Sequence, residues 1–201
     1  MTFIPEFRRP DKSLGRFLLL FTQCFLLAAI AIVFMAAIRE LYYWIMVVPA
    51  VPEQMIQTDD VWRMRFLGLR FDARTGAILA IIPLLASVFL SYFKGAWKPL
   101  TKFLTIWAGF AFFATAFLSV CNFHYIRTFH NAIDIFVFNF LHEEPHAVMT
   151  TVWQDYPIIS NSLAVIAATI LMTWLWGRIF AKLSQAKIWD ALNAIKAIAL
   201  I

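Results

Sequence analysis

His124, Arg127, His130, Asn131 and Asp134 recur at three- and four-residue intervals in FHYIRTFHNAIDIFVFNFLHEEPH (123–146), with His142 two turns further on. Imidazoles and a guanidinium on one stripe suit two chemistries: holding a phosphate and relaying protons near neutral pH. Arginine fits the first because its planar fork donates two hydrogen bonds to phosphate oxygens. A second concentration of charge, RFLGLRFDAR (65–74), sets Arg65, Arg70, Asp72 and Arg74 directly before a long uncharged run. Arg70 or Arg74 would supply a further fork beside Arg127. The bland alternative for the histidine stripe is a solvated helix face. Metal binding is set aside: His142 and His146 have i, i+4 spacing, but Pro145 lies between them and no third ligand stands at a recognisable distance. The chain also lacks P-loop, GxSxG, HExxH and CxxC patterns.

The elements that must position these residues follow from composition. Of 201 residues, 62% are hydrophobic and only 14% charged, against roughly a quarter charged in a soluble domain. Four apolar runs, 17–38, 75–93, 103–123 and 158–177, match the ~30 Å of hydrocarbon that about twenty helical residues cross. Backbone polar groups find no water in lipid, so each run is expected to be a helix. Pro83 predicts a kink in the second. No run contains a histidine, so bis-histidine haem ligation inside the bilayer is set aside as well. Cys24 and Cys121 both fall within spans and suggest no disulfide framework. A fifth apolar stretch, 191–201, contains Lys196 and is too short to cross; it reads as an interfacial helix or the front of a further span.

The expected fold is therefore all-α: a polytopic membrane helix bundle with a basic tail (1–16), four full spans and a truncated fifth. Ten Lys and Arg residues fall on the side of the N-terminus against six opposite, which puts the N-terminus in the cytoplasm. The basic excess is a topology signal, not a sign of nucleic-acid binding. Tyr42, Tyr43, Trp44, Tyr92, Trp97, Trp153, Tyr156, Trp174 and Trp176 stand near span ends and read as interfacial anchors. Segment 39–74 reads as an outer loop whose apolar start lies at the interface or dips in. Segment 123–146 reads as an amphipathic helix of period 3.6, either extending the third span or lying on the surface, and ended by Pro145.

Three stretches in order, GLRFDARTGAIL (68–79), NFHYIRTFHNAIDIFVFNFLHEE (122–144) and VWQDYPI (152–158), resemble the N-terminal membrane region of the lipoteichoic acid synthase-like family, within the sulfatase superfamily of phosphoglycerol and phosphoethanolamine transferases. The resemblance spans about residues 12–200. It implies five transmembrane helices, the fifth beginning near 191, followed by an extracytoplasmic domain that carries a Thr nucleophile and a divalent metal. None of that domain lies within these residues, so the chain is expected to be the membrane anchor and headgroup-presenting part of such a transferase in a bacterial plasma (inner) membrane. Alone it would be inactive and hold no cofactor. Its expected partners are anionic phospholipid and the external domain. The expected headgroup site comprises Arg70, Asp72, Arg74, His124, Arg127, His130, Asp134 and Asp155. Arg70 would meet phosphate or pair with Asp134 or Asp155. Asp72 would orient an arginine or cap the second span; the alternative reading makes Asp72 and Arg74 cap and anchor alone. A stand-alone structural or regulatory membrane protein and a small transporter subunit are the alternatives.

Overall fold

A computed structural model describes residues 7–10, 13–50, 52, 57–129, 150 and 152–185. Among these residues the chain is helical, with no strand. Helix α1 covers Ser13–Tyr42 and continues into a π-helical turn, Tyr43–Val47, where the Val48 N–H donates to the Tyr43 carbonyl at 3.0 Å. Helix α2 covers Thr58–Leu90, α3 covers Trp97–Phe129 after a short 3₁₀ turn, and α4 covers Ile158–Ser184. All four are long and apolar enough to cross a membrane. The expected fifth span at 191–201 lies outside the described residues.

The helices outrun the apolar segments that announce them. Most of the expected outer loop 39–74 is helix among the described residues: α1 carries on past Arg39, and α2 begins at Thr58, before the charge cluster. A helix the length of α2 measures about 50 Å, against ~30 Å of hydrocarbon. Charged residues at the span mouth therefore stand on rigid helix, and the short connection between Val47 and Thr58 makes α1 and α2 an antiparallel hairpin. Helix α2 also runs through Pro83 without interruption.

Helix α1 touches all three other helices; α2 packs mainly on α1, and α4 mainly on α3. Two apolar clusters form the interior. Leu19, Leu20, Leu100, Leu104 and Phe180 pack toward the end that carries the N-terminus, called proximal here. Leu27, Ala31, Ala108, Ala111, Phe112 and Trp176 pack further along. In lipid, helices gain little from burying apolar surface, so association relies on close approach through small residues. The alanines of α1 and α3 serve that purpose. On α2 it falls to Gly76, where a side chain would meet Ile32 at 3.0 Å and the Ala28 carbonyl at 3.2 Å.

At the proximal end Arg16 is only 3% exposed. Its Nε donates to the Ser91 carbonyl at 2.8 Å, its Nη2 to Tyr92 at 3.4 Å and its Nη1 to Pro10 at 3.4 Å. Ser91 ends α2, so the guanidinium satisfies acceptors that the helix leaves unpaired and sits at the negative end of its dipole. Phe7 lies 4.5 Å from the Phe180 ring, and its carbonyl accepts the Trp97 indole N–H at 3.4 Å. Trp97 and Trp176 are buried, which corrects their reading as interfacial anchors. Trp44, Trp153 and Trp174 are exposed. Cys24 and Cys121 are free thiols, the first buried.

Candidate functional site at the distal helix ends

The distal ends gather two polar clusters. The first lies between α1 and α2. Gly68, Asp72 and Gly76 recur every fourth residue and so fall on one face of α2, turned toward α1. Asp72 is buried and ion-paired with Arg39. Room for the Arg39 side chain comes from Gly68, where any side chain would collide with its guanidinium. Arg39 also donates from Nη1 to the Arg65 carbonyl at 3.3 Å. One residue further, Glu40 accepts a two-pronged contact from Arg65, Nε at 2.8 Å and Nη2 at 2.7 Å. The Arg65 guanidinium lies 5.8 Å from the Tyr43 ring centre and 5.5 Å from that of Trp62. Adjacent residues at the end of α1 thus hold two pairs of opposite sense across the hairpin.

That arrangement separates residues which adjacency in sequence had grouped. Asp72 does orient an arginine, but it is Arg39 of α1. It cannot cap a helix start, because it stands deep inside α2. Arg70 and Arg74 are exposed on the other side of α2, together with Arg63. None of these three has an ion-pair partner among the described residues. Around them are exposed apolar side chains, Phe66, Phe71 and Ile78.

The second cluster joins α3 and α4. His124, near the end of α3, is half-buried; its Nε2 lies 2.7 Å from Nδ2 of Asn161. The Tyr156 ring stands edge-on to the imidazole at 5.1 Å, and its hydroxyl bonds Thr128 Oγ1 at 3.0 Å. Tyr42 links this cluster to α1: its hydroxyl donates to the Ser119 carbonyl, and its ring lies 5.0 Å from Phe123. Arg127 is exposed one turn beyond His124. Asp155 is exposed and pairs with neither Arg70 nor any other cation among the described residues. Helix α3 persists to Phe129, so the first part of 123–146 does extend the third span. His130 and Asp134, and the rest of that amphipathic stripe, lie outside the described residues.

The residues that sequence reading missed are Arg39, Glu40, Tyr42 and Asn161. A signal existed for the first two: Arg39 and Glu40 end the first apolar run, and two glycines four residues either side of Asp72 mark a contact face on α2. Asn161 carried none, since a single amide inside an apolar helix start has no pattern. No group of three His, Cys, Asp or Glu residues suited to a metal occurs among the described residues. Comparison with protein-family models, with curated proteins and with solved structures gives no match.

Proposed function

We propose that the chain is the membrane part of a phosphoglycerol-type transferase of the lipoteichoic acid synthase-like kind, anchoring the enzyme and presenting anionic phospholipid. In this reading the N-terminus is cytoplasmic, the distal ends face outward from a bacterial plasma membrane, and an extracytoplasmic domain with a divalent metal supplies the transfer chemistry.

The observation that supports the reading is the depth of two exposed arginines. Taking the buried Arg16–Ser91 contact as the proximal boundary, Arg74 stands about 25 Å and Arg70 about 32 Å along α2 at ~1.5 Å per residue. Those depths bracket the far edge of a ~30 Å hydrocarbon layer. Long cationic side chains there reach outward to the phosphates while their stems stay in the acyl region. Asp72 cannot neutralise Arg70 or Arg74, because Arg39 already holds it. Arg70 and Arg74 are therefore the forks available to a headgroup, and Arg127 of α3 is a third at a comparable end of the bundle.

The test is native mass spectrometry of the chain released from vesicles of phosphatidylglycerol and phosphatidylethanolamine. Wild type is expected to retain phosphatidylglycerol preferentially, and the Arg70→Ala/Arg74→Ala variant to lose that preference. Equal retention by both proteins would reduce the two arginines to anchors and remove the basis for a headgroup site.

A further inference from the structure

Arg70 and Arg74 stand one turn apart on the unbroken helix α2, about 6 Å along its axis at ~1.5 Å per residue. Both are exposed, and each lies two residues from the buried Asp72. Two residues of helix turn the chain by about 200°, so both arginines stand on the side of α2 away from α1. Asp72 is the only carboxylate between Val61 and Leu90, and it is ion-paired with Arg39. Like charges at i, i+4 repel one another, and more strongly where the surroundings are less polar than water. Anionic groups set at the same spacing convert that repulsion into attraction.

The stripe continues inward as an apolar track. Ile78, Ile81 and Leu85 follow Arg74 at three- and four-residue intervals, and each is about half exposed. From Arg74 to Leu85 is about 16 Å, close to the depth of one leaflet of a ~30 Å hydrocarbon layer. Two cationic forks at the head of a one-leaflet apolar track match the build of an anionic lipid, and a soluble anion would leave the track unused. Arg63 is different. It stands about 10 Å beyond Arg70, with Asp59 one turn before it on the same side of the helix.

We infer that this outward stripe of α2 binds a phospholipid whose headgroup carries two phosphodiesters, the build of cardiolipin. One planar guanidinium fork engages the two free oxygens of one phosphodiester, so two forks take two. The three-carbon bridge that joins such phosphates is comparable in length to one helical turn, ~5.4 Å. A lipid with one phosphodiester engages one fork and leaves the other cation facing it. The inference rests on the headgroup reading of the same two arginines and narrows it to a class of lipid.

The test is native mass spectrometry of the full chain released from phosphatidylethanolamine vesicles that hold phosphatidylglycerol and cardiolipin at equal phosphate. Wild type is expected to retain cardiolipin several-fold over phosphatidylglycerol. Arg70→Ala and Arg74→Ala are each expected to bring that ratio to about one, and Arg63→Ala to leave it unchanged. A wild type that favours phosphatidylglycerol over phosphatidylethanolamine, but not cardiolipin over phosphatidylglycerol, would overturn this inference and leave the headgroup reading standing. Absence of both preferences would remove the two together. A cardiolipin preference that survives both single substitutions, or that Arg63→Ala lowers equally, would overturn the paired site in favour of general positive charge.

Discussion

Trp107 of α3 donates its indole N–H to the Leu79 carbonyl of α2 at 2.9 Å. Leu79 is four residues before Pro83, so its carbonyl is the acceptor that a proline, having no N–H, leaves unpaired in the helix. A neighbouring helix thus supplies the donor that proline removes, which is how a proline becomes tolerable in a membrane span. Ser87 adds a second local bond, from Oγ to the Pro83 carbonyl at 2.6 Å.

Trp107→Phe is therefore expected to destabilise the α2–α3 contact by about 1–3 kcal/mol, the cost of stranding a buried acceptor. Pro83→Ala restores an N–H for Leu79 and should make the same tryptophan substitution cheaper. Reversible unfolding in mixed micelles of the two single variants and the double variant checks this. Simple additivity would show that the indole bond does not compensate for the proline.

The three glycines near or in α2 should respond to alanine in a set order. Gly76→Ala presses against the Ala28 backbone carbonyl, which cannot yield cheaply, and is expected to cost about 1–3 kcal/mol. Gly68→Ala drives out the Arg39 guanidinium, a flexible group, and should loosen the ion pair more than the helix contact. Gly95→Ala meets nothing within 4 Å and should be near neutral. Thermal unfolding of the three variants ranks them.

The two ion pairs of the hairpin differ in burial and should differ in consequence. Removing one partner of the buried pair, as in Asp72→Ala, leaves the Arg39 charge unpaired and is expected to cost about 3–5 kcal/mol. The Glu40–Arg65 pair is more exposed, so Glu40→Gln should matter far less and its effect should fade as salt is raised. Unfolding at low and high ionic strength distinguishes the two.

Arg16→Lys removes the planar fork that reaches the Ser91 and Tyr92 carbonyls together. The end of α2 is expected to fray, read as faster hydrogen exchange at residues 88–92 with the distal half unchanged. Unchanged exchange throughout would mean that charge alone, not the fork, holds that end.

Reporter fusions check the orientation. A reporter after Ala96 is expected to be active in the cytoplasm, and one after Trp153 outside it. The reverse pattern would place Arg70 and Arg74 against the inner leaflet.

Hydrophobic run length alone marks four helices among the described residues as long and apolar enough to span a bilayer, where the backbone has no alternative to a helix at that length. It does not locate the ends. Helices α1 and α2 continue beyond their apolar runs, and the polar residues on their facing sides pair across the hairpin: Arg39 with Asp72, and Glu40 with Arg65. Partners that lie 25 or more residues apart leave no local pattern to read. The same holds for Trp176, whose position near a span end suggests an anchor until packing on α1 and α3 buries it. Residue type and period assign each side chain to a helix and a face; which face meets which neighbour is decided only when the helices pack, and that choice separates the occupied Asp72 from the open Arg70 and Arg74.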